Sequence, residues 1–304
     1  MPPTRTEPFA WKSFFVHVGM FGAVAVGLGV LAGAILGLEP LERRASARVA
    51  RTTPHVRIVW PNSLPGSEGT WLPGDEQERL MRLAYHAVEG GSSFSRMPLE
   101  RLSQSMADSG WFRGTPIVRR DTHGYVVEGS WRVPAAVVRA GEKDYLISWE
   151  ASPLPKVYPA GGSRLPAILN PAQTPPMHPD GMPDKARPWP GEDVGAALEL
   201  LATAASQPWA GQVAGVDVSK YAAEGSLMLV TRGGNTIVWG GRPTKPRLGE
   251  VSTAQKLIHL SQLRRDFGTI DAGYPLIYVN TDRLQFDTTA TARQQAGVDD
   301  RAPL

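Results

Sequence analysis

The sequence predicts an α+β chain: a single N-terminal transmembrane helix, then a small α+β domain, then a β-rich domain with flanking helices. Three observations carry this expectation. Residues 14–38 contain no Asp, Glu, Lys or Arg. Residues 56–133 alternate between helical spacing and short β-branched runs in the order strand, helix, helix, strand, strand. The 304 residues hold 32 Gly and 27 Pro, too many chain breakers for a helical bundle and enough to cut the second half into short strands.

The apolar run comes first. Its 25 residues would rise about 37 Å as a helix, enough to cross a hydrocarbon core of about 30 Å. Two fates fit it, a retained anchor or a signal peptide cleaved near Ala32-Gly33-Ala34; the run exceeds the usual apolar core of a signal peptide, which favours the anchor. Arg5 and Lys12 precede it, while Arg43, Arg44, Arg48 and Arg51 follow, so a bare count of cations points the large part inward. Large domains translocate largely regardless of charge, and the long C-terminal part is therefore expected outside the cytoplasm, with residues 1–13 as a cytoplasmic tail and 39–53 as a linker. Gly29, Gly33 and Gly37 recur every four residues, either a stripe for close packing of a partner helix or the ordinary abundance of Gly in membrane helices.

Residues 54–133 form the first expected domain. Residues 56–60 read as a strand closed by Pro61, and 75–88 as an amphipathic helix with Leu80, Ala84, Ala87 and Val88 on one face and Gly90-Gly91 as its stop. Pro98 suits the first turn of a second helix ended by Gly110. Residues 115–121 and 125–133 then form a hairpin through Thr122-His123-Gly124, with Trp111 and Phe112 packing the helix exit onto its sheet. Arg119 and Arg120 are neighbours on a strand and point to opposite faces, so they do not form an anion-gripping fork.

Residues 134–290 form the second. A hairpin is expected over 135–149, then a mostly irregular segment over 153–190, where eleven prolines remove too many donors for interior strands. A helix follows at 192–206, strands at 215–218, 226–231 and 236–239 around the turn Arg232-Gly233-Gly234-Asn235, a helix capped by Ser252 with Leu257, Leu260, Leu263 and Phe267 inward, and a closing strand at 276–280. Residues 291–304 read as a polar tail.

The chemistry-bearing residues are sparse. With no Cys, thiol and iron–sulfur chemistry are excluded, and the six His residues share neither a helical turn nor a metal-ligand spacing. The chain holds 32 Lys and Arg against 29 Asp and Glu, a balance without the dense basic patch that nucleic acid requires. Phosphate-binding loops and serine-nucleophile motifs are missing. Carboxylates such as Asp217 with Asp271, or Asp184 with Glu192, are candidates for general acid and base, but Asp at strand ends more often bonds a turn.

Several stretches carry a family likeness. They are Gly110-Trp111-Phe112, the strand Ile117-Val118-Arg119-Arg120, the junction Val133-Pro134-Ala135-Ala136, Gly215-Val216-Asp217, the hairpin through Gly233-Gly234 to Trp239-Gly240, and Ile270-Asp271 with Tyr274. Together with the order of elements they make the chain resemble the FtsQ/DivIB family of bacterial cell-division proteins, single-pass proteins with an extracytoplasmic POTRA domain and a β domain. It departs from the family in Ala272-Gly273, where Arg is common, in Arg132 before the junction, and in the length of the 153–190 segment. The resemblance implies a POTRA-like domain over 54–133 and a non-enzymatic scaffold at the division septum of the plasma membrane. It would use no cofactor and no small-molecule substrate, and would bind small bitopic division proteins by helix packing and strand addition. By carry-over the partner edge would be Tyr274, Leu276, Ile277, Tyr278, Val279 and Asn280. An envelope assembly or secretion factor built on the same module is the alternative reading, and an anchored carboxylate hydrolase the third.

Overall fold

The computed structural model describes residues 55–62, 69–90 and 95–287, in two compact units. The first comprises the described residues up to Ser105 together with Ile117–Glu128, and the second Met106–Pro116 together with the described residues from Gly129.

In the first unit, strand β1 (His55–Ile58) leads into helix α1 (Gly74–Val88), and helix α2 (Met97–Asp108) begins there, its last residues belonging to the second unit. Strands β2 (Ile117–Arg120) and β3 (Gly124–Glu128) form the hairpin, and β3 takes the centre of a three-stranded sheet, parallel to β1 and antiparallel to β2. Alternation buries Val56 and Ile58 on β1, while α1 buries Leu80, Ala84, Ala87 and Val88, its one apolar stripe. At Gly124 a Cβ would lie 2.0 Å from the carbonyl oxygen of His55, so only glycine lets β1 approach the hairpin turn. Asp121 closes that turn by accepting from the backbone N–H of His123 and of Gly124, both at 2.9 Å. Arg119 and Arg120 take different partners, Glu128 at 2.6 Å and the carbonyl of Ser95 at 2.5 Å.

The second unit is a nine-stranded mixed sheet in the order β12-β11-β10-β9-β8-β7-β4-β5-β6. Its strands are β4 (Pro134–Ala140), β5 (Lys143–Ser148), β6 (Pro153–Pro159), β7 (Ala167–Leu169), β8 (Val213–Asp217), β9 (Leu227–Thr231), β10 (Thr236–Gly240), β11 (Leu276–Tyr278) and β12 (Gln285–Asp287). Helices α3 (Asp193–Ala205), α4 (Tyr221–Glu224) and α5 (Thr253–Phe267) complete it. One face supplies Val138, Ile147, Ile168, Val216, Leu229 and Ile237 to a core shared with Val194, Ala197 and Leu201 of α3 and Leu260 and Leu263 of α5. Ser252 caps α5 by accepting from Gln255 N–H. Phe267, expected inward, stays 58% exposed at the last helical position, before Gly268 ends the helix in the left-handed conformation.

These findings correct the expected fold class. The described residues form a mixed α/β arrangement with a nine-stranded sheet and five α-helices, not an α+β chain closing on a β-rich domain, and four strand pairs are parallel: β1 with β3 in the small sheet, and β4 with β7, β7 with β8, and β10 with β11 in the large one. Among the described residues no helix is long and apolar enough to cross a membrane; the run 14–38, with Gly29, Gly33 and Gly37, lies outside them, as does the tail 291–304.

Two local details follow. Within the mostly irregular Pro-rich segment, β6 tolerates its prolines as an edge strand, and β7 fits three residues between Pro166 and Pro171. Trp111 and Phe112 belong to the second unit, where Phe112 bridges to Trp131 with ring centroids 4.2 Å apart and Arg113 N–H donates to the carbonyl of Ser130 at 2.7 Å.

Candidate partner-binding edge

A sheet ends in two edges, and these two differ. At one end stands β6, with Pro153, Pro155 and Pro159. Ala160 N–H points inward, donating to Glu142 O at 3.0 Å, so alternation turns residue 159 outward, and there Pro159 has no N–H to offer. That edge is blunted for strand addition by its own composition.

At the other end stands β12, Gln285-Phe286-Asp287, with no strand on its outer side among the described residues. The expected edge 276–280 is therefore displaced by one strand. Leu276, Ile277 and Tyr278 pair with Thr236, Ile237 and Val238 of β10 on one side and with Asp287, Phe286 and Gln285 on the other. Their backbone is spent on both neighbours. Ile277 and Val279 are fully buried in the core, the carbonyl of Asn280 accepts from Val251 N–H at 3.1 Å, and Tyr274 packs on Phe286 with centroids 4.7 Å apart. Among the expected residues Tyr274 contacts the outer strand through its ring. Phe286, 40% exposed, is the apolar group at the edge itself.

The approach to this edge is organised by one carboxylate. Asp271 follows α5 and is buried; its Oδ2 accepts from Thr231 Oγ1 at 2.7 Å and Asn235 Nδ2 at 3.1 Å, and its Oδ1 from Gly273 N–H at 3.1 Å. Burial alone would raise its pKa, but hydrogen bonds from Thr231, Gly273, Asn235 and Thr269 outweigh burial and hold the carboxyl below its ordinary value. The residue thereby ties the turn before β11 to the β9–β10 hairpin. That turn also explains Ala272-Gly273: both residues have positive φ, 47° and 77°, so a bulky side chain does not suit the second position. Gln212 holds the same segment from below, accepting from Ile270 N–H at 2.8 Å and donating to the carbonyl of Gly268 at 3.0 Å.

The paired-carboxylate idea does not survive this geometry. Asp271 bonds Thr231, which lies opposite Val213, whereas Asp217 sits at the far end of β8, opposite Met228. Four residues of strand put them about 13 Å apart along the sheet, beyond the spacing at which two carboxylates share a substrate atom. Asp217 itself accepts from Asn170 Nδ2 at 3.1 Å and Ser219 N–H at 2.8 Å, a turn-bonding role. Asp184 bonds Ala186 N–H and Arg187, whereas Glu192 lies beside Arg242. Among the described residues no three His, Asp or Glu cluster as metal ligands.

One organising residue shows in the sequence only as a departure from the family pattern. Arg132 donates from Nη1 to the carbonyls of Gly110 and Lys185, at 3.1 and 3.2 Å, and from Nη2 to those of Ser152 and Pro153, at 3.2 and 3.1 Å. Four carbonyls from three distant segments converge on it, which no local spacing announces. It fixes the start of β6, and with it the blunted edge.

No family model matches the chain, and no curated protein matches it.

Proposed function

We propose that this chain is a non-enzymatic scaffold of the bacterial division machinery, held at the plasma membrane by its uncharged run 14–38. Its second unit takes up a β-strand from a small bitopic division protein at β12 and so helps regulate septal peptidoglycan synthesis. The reading rests on the resemblance described above, and one observation carries it: the sheet's two ends are unequal, β6 blunted by proline and β12 without a strand on its outer side among the described residues. Strand addition draws affinity from main-chain hydrogen bonds and specificity from alternate side chains, here Phe286 on one face and Gln285 and Asp287 on the other. Because β11 is interior, the perturbation belongs on β12. Phe286→Pro removes a donor from the edge while leaving β11 paired with β10. A full-length chain with an N-terminal fluorescent fusion should form a midcell band in dividing cells, and the Phe286→Pro form should fail to recruit the bitopic partners. A uniform envelope signal from the unaltered chain would instead favour an envelope assembly factor.

A further inference from the structure

The sheet of the second unit has a second face, away from its core, and part of it is built as a cleft. Val137, Ala167, Gly215 and Val230 stand side by side on β4, β7, β8 and β9, a transverse row set by the registers Val137↔Ala167, Ala167↔Gly215 and Gly215↔Val230. Their neighbours Val138, Ile168, Val216 and Leu229 point into the core, so this row faces the other way. Over it lies an open cleft of about 270 Å³. Its floor is notched at Gly215, where a Cβ would fall 2.0 Å from the carbonyl oxygen of Ala167 and no side chain fits.

Charge surrounds this apolar floor unevenly. Arg139, Arg164 and Arg232 line the cleft with Asp144 as its one carboxylate, a formal excess of two positive charges. Arg139 lies two residues past Val137, and Arg232 two residues past Val230 on an antiparallel strand, so they occupy diagonal corners of the row. Asp144, 1% exposed, accepts from Arg139 Nε at 2.8 Å and Nη2 at 3.1 Å, and from Gly161 N–H at 2.8 Å. That pair fixes the Arg139 guanidinium and leaves three of its five N–H groups for another acceptor. Arg232 spends Nε on the carbonyl of Gly211 at 2.7 Å and keeps the rest. The Arg164 side chain makes no hydrogen bond or ion pair among the described residues.

We infer that this cleft binds a small anion with an apolar body, a phosphate monoester or a carboxylic acid, its charged head on guanidinium groups at the rim and its body over the apolar floor of Val137, Ala167 and Val230. Guanidinium forks match planar or tetrahedral oxyanions. The volume lies just below the range that holds drug-sized ligands, which fits a small molecule or a single headgroup. The inference stands independently of the division reading, since it uses none of the β12 edge.

Arg164→Gln is the variant of choice, because its side chain supports no other group and its loss leaves the sheet intact. Full-length protein in a nonionic detergent would be titrated calorimetrically with phenyl phosphate and with inorganic phosphate. The expected result is saturable binding, tighter for phenyl phosphate, weakening as salt rises, and about tenfold weaker in Arg164→Gln and in Arg232→Gln. Arg119→Gln, on the hairpin of the first unit, should bind as the unaltered protein does. Competition by phosphatidylglycerol added in mixed detergent micelles would identify a lipid headgroup as the source of the anion, and saturable phenyl phosphate binding without such competition would identify a soluble one. Equal binding by Arg164→Gln, or no saturable binding of either probe, would overturn the inference.

Discussion

Replacing Asp271 by Asn probes the knot that sets the approach to the open edge. The carboxylate only accepts, and its Oδ2 takes two donors at once, Thr231 Oγ1 and Asn235 Nδ2. An Asn amide must place either its NH₂ against those donors or its NH₂ against Gly273 N–H, so at least one bond is lost and a buried donor is left facing another. Hydrogen bonds to a charged acceptor contribute about 1.5–3 kcal/mol each, so the substitution should cost about 3 kcal/mol. For a unit of this size that is a fall in Tm of about 6–12 °C, read by tryptophan emission of the full-length protein. The pH sign follows from the depressed carboxyl: its stabilisation is fully present above the unfolded value near about 4 and is lost as pH falls through the lower folded value. The gap between native and Asp271→Asn proteins should therefore be wide at pH 7 and close below about pH 4. A Thr231→Val partner completes a double-mutant cycle, in which the two changes should be clearly non-additive. Melting within about 1 °C of the native protein at pH 7, or a gap that does not close in acid, would refute the assignment of Asp271 as a structural acceptor.

Other perturbations follow from the same geometry. Arg132→Ala strands four carbonyls and should cost about 2–4 kcal/mol, with faster amide exchange and tryptic cleavage near Lys185; unchanged exchange there would show that Arg132 clamps nothing. Pro159→Thr together with Pro155→Thr restores donors to β6, so sedimentation should shift toward self-associated species, and an unchanged profile would mean that the prolines do not guard that edge. Ile277→Pro breaks a strand paired on both sides and should unfold the second unit, not simply uncouple a partner; a folded Ile277→Pro protein would restore β11 as the edge.

What the sequence made legible was local. The four long helices announced themselves by apolar spacing and by stops such as Gly90 and Gly268, and the hairpins by Thr122-His123-Gly124 and Gly233-Gly234. What escaped it was long-range. Strand β12 is three residues, too short for alternation to register, yet it moves the edge away from Leu276–Tyr278. Strands β6 and β7 are masked by prolines that are harmless only because of where the sheet places them. Parallel pairing of β10 with β11 requires α5 as its crossover, which the separate reading of each element does not reveal. The Arg132 clamp and the cleft at Arg139, Arg164 and Arg232 draw on segments far apart in the chain, so their spacing in sequence carries no signal.

The central claim is that a partner strand joins this chain at β12. Photo-activatable residues placed at Gln285 and at Val157, one on each edge strand, test it directly in dividing cells. The account predicts that position 285 cross-links to a small bitopic division protein at the septum and that position 157 does not. Cross-linking at 157 but not at 285, or none at either in cells that divide normally, would contradict it.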